Sequence, residues 1–307
     1  MQGWRKRMED AHISSLDIGP SKQTQIFGVF DGHGGCEVAK FVSNHFVKEF
    51  LNNQNYSRND IKKALEENYN KMDKLMLEKE GSEELLFEYK KSKEEAENIK
   101  ENNNAQIEML RQVIDPKEQP DAKISMFTGC TANVLVIHDK KLFFANAGDS
   151  RSILCKNGQA FPMSTDHKPS IPAELKRIER AEGWVSDGRI LGNLNISRGI
   201  GDSEYKMNKK LKPEEQIISN FPDVKIENLS NDIDFVVIAC DGIWDCKTNQ
   251  EICDFFGDKF KKYPDGKISK FIEELFDEII APDVYTDTGV GCDNMSCIVI
   301  QFKHKGK

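Results

Sequence analysis

The sequence predicts an α+β fold built on antiparallel sheets. Three observations carry this expectation. β-Branched and aromatic runs follow one another directly through the middle of the chain. Helical periodicities are grouped between sets of strands rather than alternating with them. Two Xaa-Gly pairs flanked by strand runs, Asn157-Gly158 and Asp187-Gly188, mark hairpins.

The elements follow in order. A short apolar strand at 26–30 ends in Asp31-Gly32-His33-Gly34-Gly35, and Val38, Phe41, Val42 and Phe46 then recur at helical spacing. Leu65, Tyr69, Met72, Leu75 and Met76 continue a second helical face. From about 78 to 122 the composition shifts to Glu, Lys and Asn. This stretch is expected to be a charged helical or loop insert facing solvent, with 115–120 as a linker. Strands are expected at 131–137, 142–147, 152–156 and 159–163, the last two joined by Asn157-Gly158. Ser170-Ile171-Pro172 opens a helix carrying Leu175, Ile178 and Ala181, and Gly183 closes it. Strands flank Asp187-Gly188, another runs over 235–240, helices follow at 249–256 and 268–280, and the last strand is 295–302.

Composition excludes several classes. The chain has 307 residues with Lys+Arg 43 against Asp+Glu 51, a net charge of -8, which argues against a dedicated nucleic-acid binder. Hydrophobic residues make up 38%, enough for a core, and no apolar run approaches the ~20 residues a membrane span needs. The eight cysteines are scattered without a C-x-x-C, which reads as reduced core cysteine, not a disulfide frame or zinc site. No apolar stretch follows the charged start, and Met1-Gln2 does not suit N-myristoylation. A monomer in the cytoplasm, or in the nucleus, is the expectation.

Three apolar strand runs end alike: 26–30 in Asp31-Gly32, 142–148 in Asp149, and 235–240 in Asp241-Gly242, with Asp245 four residues on. Asp293 stands just before the final strand. Each Asp alone is an ordinary turn residue. If the strand ends converge, however, the carboxylates meet at one rim and repel unless a cation holds them. An oxygen-only donor set without a His/Cys pattern suits Mg²⁺ or Mn²⁺, and a glycine such as Gly32 lets its carbonyl approach an ion. Two such ions bridging one water bring its pKa from 15.7 toward ~7. Near the start, Arg5 offers a planar fork for phosphate oxygens and Glu9 and Asp10 add acids; the same segment reads equally as a charged surface strand.

Taken together, eight stretches resemble the metal-dependent protein serine/threonine phosphatases of type 2C. They are Gly3-Trp4-Arg5 through Glu9-Asp10-Ala11-His12; Val29-Phe30-Asp31-Gly32-His33-Gly34-Gly35; Gly129-Cys130-Thr131-Ala132; and Asn146-Ala147-Gly148-Asp149-Ser150-Arg151. Asp166-His167-Lys168-Pro169; Ser197-Arg198-Gly199-Ile200-Gly201-Asp202; Ala239-Cys240-Asp241-Gly242-Ile243-Trp244-Asp245; and Asp293-Asn294-Met295-Ser296 complete the set, in the family's order and across nearly the whole chain.

The resemblance implies a single catalytic domain over 1–307, folded as two stacked antiparallel β-sheets flanked on both faces by helix pairs, a four-layer α-β-β-α sandwich. It implies two Mg²⁺ or Mn²⁺ ions, with Asp31 bridging them, the Gly32 carbonyl on the second, and Asp241 and Asp293 on the first. Glu9 and Asp10 match acids that hold metal-bound waters, and Asp149 and Asp245, with Asp241, match a weaker third metal site. Arg5 matches the phosphate clamp and His33 the general acid. Asp202 matches an acid beyond the flap to which no role is assigned. The segment at about 168–194 resembles the mobile flap beside the cleft. Substrates are expected to be phosphoproteins, attacked directly by a metal-bridging hydroxide.

The chain begins at the Trp4-Arg5 motif, where the family has a short strand first, so one sheet edge is expected to be absent or replaced. The stretch 78–120 is longer than the family's usual connection. Among rivals, Asp232-Ile233-Asp234-Phe235-Val236 fits D-x-D-x-V, but it precedes its strand, whereas aspartyl-phosphate chemistry needs it after one. No cysteine has an arginine six positions on, and no G-x-x-x-x-G-K-[ST] is present. An inactive phosphatase-like scaffold is the alternative from another class; the retained Asp31, Asp241, Asp293, Arg5 and His33 weigh against it.

Overall fold

Strands buried on both faces read as continuous apolar runs, and the runs in this chain have that origin. The computed structural model describes residues 1–20, 23–101 (backbone alone for 95–101), 124–284 and 289–303. In chain order, β1 (Ala11–Ile18), β2 (Thr24–Phe30) and β3 (Gly32–His33) lead into α1 (Glu37–Leu51), the single turn α2 (Gln54–Ser57), α3 (Ile61–Leu77) and α4 (Lys79–Glu101). Next come β4 (Gly129–Cys130), β5 (Ala132–His138), β6 (Lys141–Ala147), β7 (Arg151–Lys156) and β8 (Gln159–Pro162). Helix α5 (Pro172–Arg180) and the short strands β9 (Val185–Ser186), β10 (Arg189–Ile190) and β11 (Ile200–Gly201) follow. The chain continues with β12 (Asp223–Asn228), β13 (Ile233–Ala239), α6 (Asp241–Trp244), α7 (Asn249–Lys262), α8 (Ile268–Ile279) and β14 (Cys297–Gln301).

A five-stranded antiparallel sheet has the order β1-β2-β5-β6-β12, and a four-stranded one the order β14-β13-β7-β8. Side chains alternate between two cores, as the period of two in a strand requires. Phe27, Val29, Leu135 and Phe144 of the first sheet meet Leu154, Val236 and Ile238 of the second between the sheets. Ile26, Phe30, Val134, Val136 and Phe143 point the other way, onto α1, α3 and α4. Ile153, Cys155, Phe235 and Val237 point onto α7 and α8. The result is the four-layer α-β-β-α sandwich expected. Each fully buried Phe, Leu or Ile contributes about 1.5–3 kcal/mol against the entropy of ordering the chain.

Both expected hairpin turns form with positive φ at both central residues, +49° and +77° at Asn157-Gly158 and +51° and +73° at Asp187-Gly188. Two of the longer strands escaped the sequence reading. β1 and β12 are sheet edges with mostly exposed or half-exposed side chains, so neither shows an apolar run. At the end of α5 it is Glu182, at φ +66°, that turns left-handed, while the Gly183 amide bonds to the Ile178 carbonyl at 2.9 Å. Beside β14, Met1 and Met295 exchange backbone hydrogen bonds of 2.6 and 2.8 Å.

The charge-rich stretch departs from a solvated helix. Leu85, Tyr89 and Ser92, spaced one turn apart, form a seam along α4 that docks onto the neighbouring helices. Leu85 is 1% exposed, the Ser92 hydroxyl donates to Glu37 Oε1 at 2.9 Å, and Glu84 meets His45 Nε2 at 2.8 Å. The expected linker at 115–120 lies outside the described residues. Among the described residues no helix is long and apolar enough to cross a membrane.

Candidate active site

Strand register brings the predicted acids together. Ala11 pairs with Phe30, Ala132 with Ala147, and Ala239 with both Arg151 and Cys297. Asp10, Asp31, Asp149, Asp241 and Asp293 each lie one to four residues beyond one of these positions. All five therefore stand at the same end of the stacked sheets. They frame a cleft of about 800 Å³ whose lining includes Arg5, Glu9, Asp31, Gly32, His33, Asp149, Asp241 and Asp293. Asp10 lies behind this lining, and Asp245, which caps α6, lines a neighbouring hollow beside Arg151 and Trp244.

Backbone contacts fix these positions. The Thr131 amide donates to the Asp31 carbonyl at 2.8 Å, and its hydroxyl accepts from the Asp31 amide at 3.2 Å. Gly32 is a glycine for a steric reason: a Cβ there would stand 2.3 Å from the Glu9 carbonyl oxygen. Asn294, buried, ties down the amino-terminal segment. Its Oδ1 accepts from the Glu9 amide at 2.8 Å, and its Nδ2 donates to the carbonyls of Gln2 and Arg7 at 2.8 and 3.0 Å. Arg5 is thereby held over the cleft, its Nη2 donating to Asp293 Oδ2 at 2.6 Å.

The electrostatics of this rim are unfavourable without a cation. Desolvation, then repulsion from Asp241, Asp10 and Asp149, holds the Asp31 carboxyl well above the usual carboxylate range. Desolvation and the charges of Asp149, Asp245 and Asp293 push Asp241 up to about 7, although Lys168 pulls the other way. Asp10 is also raised by burial. The Ser296 hydroxyl and Cys240 thiol lie close enough to offset this in part, but neither Asp10 oxygen has a partner of hydrogen-bond geometry. Orphaned buried carboxylate oxygens in an all-carboxylate rim fit a hard divalent ion. One sulfur intrudes: Cys240 Sγ lies within 4.8 Å of ligand atoms of Asp10 and Asp31. Burial raises this thiol well above its ordinary value, and it donates to the Asn294 carbonyl at 3.3 Å, so it is a protonated packing group.

His33 stands on β3 at the cleft wall with its Nε2 2.8 Å from Asp202 Oδ2. Burial alone would lower its pKa, but Asp202 outweighs this and raises it. Gly129 makes room for the pair, because a Cβ there would stand 2.2 Å from Asp202 Oδ2 and 2.7 Å from His33 Nε2. This partnership, across 169 residues of chain, is the role that sequence reasoning left unassigned to Asp202.

Two further residues were missed. Lys168 Nζ forms an ion pair with the buried Asp149 carboxylate, placing a tethered cation inside the acid cluster. Arg189, at the tip of the β9–β10 hairpin, lines the cleft together with Asn195 and Ile196. The hairpin has its own small core of Ile178, Ile190, Tyr205 and Ile218. At its base, the buried Glu174 accepts from Arg177, Arg198 and Ser197. These donors, led by Arg198, overcome desolvation and hold Glu174 at about 2.

Solved structures share this fold. A phosphatase from a pathogenic strain of Toxoplasma gondii superposes with a TM-score of 0.66 at 21% identity, over 99% of this chain and 92% of that one. A serine-threonine phosphatase 2C from the same organism gives 0.64 at 18% identity, over 98% and 92%. In sequence, the family model for protein phosphatase 2C matches residues 1–86 and 48–288. Probable protein phosphatase 2C 6 of Paramecium tetraurelia is 45% identical over 303 residues, covering 99% of this chain and 90% of the relative. Probable protein phosphatase 2C 21 of Arabidopsis thaliana is 41% identical over 319 residues, covering 99% and 85%. The chain belongs to the protein phosphatase 2C family, and is thus a protein serine/threonine phosphatase.

Proposed function

We propose that this chain hydrolyses phosphoserine and phosphothreonine in proteins by direct attack on phosphorus, without a covalent phosphoenzyme. The observation that carries this reading is the meeting of Asp31, Asp149, Asp241 and Asp293 in one cleft with Arg5 and His33 beside them. Asp31, the Gly32 carbonyl, Asp241 and Asp293 are the proposed holders of two Mg²⁺ or Mn²⁺ ions, with Glu9 and Asp10 behind them and Asp149 and Asp245 for a weaker third. Ions held there would lower the pKa of water so that it can act as the nucleophile at neutral pH, and would neutralise phosphate charge.

The chain's own groups do the rest. Arg5 presents its planar fork to two phosphate oxygens and orients the ester for in-line attack. His33, whose Nε2 is held by Asp202 and whose pKa that carboxylate raises, has its Nδ1 proton to give to the departing serine or threonine oxygen. An alkoxide is a poor leaving group, so this proton transfer matters. Phosphoproteins are the proposed substrates and a monomer the proposed state. All eight cysteines are free thiols, which supports a reducing compartment, cytoplasm or nucleus.

The test is phosphate release from a phosphothreonine peptide with Mn²⁺ or Mg²⁺, with EDTA, and with Asp241→Ala. Turnover that needs the metal and vanishes in the variant is expected. A folded protein that turns nothing over at saturating metal would instead be a phosphopeptide-binding scaffold.

A further inference from the structure

A second cavity, sharing no lining residue with the acidic cleft, opens between α3 and the segment 203–220. Its volume is about 490 Å³, within the ~300–1,000 Å³ usual for small-ligand sites. Leu77, Met126, Met207, Leu211 and Pro213 give it apolar walls, and two of these five are methionines, whose flexible thioethers adapt to a ligand's shape. Met207 is 66% exposed, an unusual position for so large an apolar side chain.

The polar groups around this cavity are not all satisfied within the chain. Asn220 is 3% exposed, and its Nδ2 donates to Asp73 Oδ2 at 2.7 Å and to Asn70 Oδ1 at 3.4 Å. A carboxylate can only accept, so the orientation of this amide is determined. Its Oδ1 is left buried without a partner, and the Ser203 hydroxyl is likewise unpartnered. Buried polar atoms are seldom left so. Lys74 and Lys209 also line the cavity, both exposed, and neither has an ion-pair partner among the described residues. The neighbouring Lys206, in contrast, is engaged by Asp73 at 2.7 Å.

We propose that this cavity binds a small amphipathic anion. Its apolar body fills the space between Leu77, Met126, Met207 and Leu211, and its acidic group meets Lys74 and Lys209. The cavity floor is not passive. Asp73, which holds Asn220 and Lys206, also accepts from the Gly201 amide at 2.8 Å, next to the Asp202 that partners His33.

The probe is 8-anilinonaphthalene-1-sulfonate, which carries an apolar body, one N–H donor and one acid. It is titrated by fluorescence into the full chain, beside its neutral counterpart N-phenyl-1-naphthylamine. One saturable site per chain is expected, with the sulfonate binding more tightly than the neutral compound. Met207→Glu puts a like charge at the mouth and is expected to weaken sulfonate binding about tenfold or more. Lys74→Ala with Lys209→Ala is expected to weaken it about fivefold and leave the neutral compound unaffected. Phosphatase turnover stays at the wild-type level in both variants, which also reports that they fold. Binding unchanged by Met207→Glu, equal affinity for the neutral compound, or displacement by the phosphopeptide substrate would each overturn the proposal.

Discussion

His33 Nε2 and Asp202 Oδ2 stand 2.8 Å apart, one residue at the wall of the acidic cleft and the other buried behind it. Asp202 reaches this position with a left-handed backbone, φ +48°, which costs an Asp about 1–2 kcal/mol. The loop is secured on both sides, by the Asp202 amide on the Thr128 carbonyl at 2.9 Å and the Gly201 amide on Asp73 at 2.8 Å. Without Asp202, His33 loses the charge that raises its pKa, and it is protonated over a narrower range. Asp202→Asn is therefore expected to move the alkaline limb of the kcat–pH profile to lower pH and to reduce kcat at pH 8 more than at pH 6. Gly129→Ala, which separates the pair sterically, should give the same profile. A uniform loss at every pH in both variants would count against the role.

If His33 supplies the leaving-group proton, the cost of removing it depends on the leaving group. His33→Ala is expected to lower kcat on a phosphothreonine peptide by about 10²–10⁴-fold. On p-nitrophenyl phosphate, whose leaving phenolate needs no proton, the loss should be less than tenfold. Equal losses on the two substrates would reassign His33 to binding.

The acid cluster sets a pH dependence of stability. With metal chelated, Asp241 titrates at about 7 in the folded chain against 3.8 when exposed, so between these values the folded state binds more protons. Stability then falls as pH rises from about 4 to about 7 and levels off above. Thermal melts in EDTA should show Tm decreasing over that window, with Asp241→Asn flattening the decline and melting higher than wild type at pH 8. Added Mn²⁺ should raise the wild-type Tm more at pH 8 than at pH 5. A Tm in EDTA that rises with pH across this window would contradict the crowding of these carboxylates.

The docking of α4 makes a separate prediction. Leu85→Ala empties a fully buried position and is expected to cost about 2–5 kcal/mol, read from urea unfolding. Metal-dependent turnover per folded molecule should stay within twofold, because Leu85 does not line the cleft. A cost below about 0.5 kcal/mol would mean that α4 is not packed as described.

Acids of the cleft were legible where they close an apolar strand, since strand ends converge when sheets stack. Asp31, Asp149 and Asp241 carried that signal, and Asp293 stood out as the acid just before the last strand. β1 and β12 did not, since an edge strand shows few apolar side chains. The seam of α4 was hidden for a related reason: Leu85, Tyr89 and Ser92 are three positions diluted among glutamates and lysines. The partnership of His33 with Asp202 had no local trace at all. It depends on β3 and β11 flanking β4 in one small sheet, and only the tertiary register brings two residues 169 positions apart into contact.

Asp31 leaves the first sheet at the end of β2 and Asp241 leaves the second at the end of β13, so the proposed ions would join two layers whose spacing is set by the packing of Val29, Leu135, Val236 and their neighbours. Metal affinity is then a caliper for the gap between the layers. A methylene removed at Val236 or added at Val29, with every ligand intact, changes the bite of the carboxylates and is read out as a change in Mn²⁺ affinity. The interior of the sandwich tunes its rim, and substitutions that never contact the cleft can set how much metal the enzyme requires.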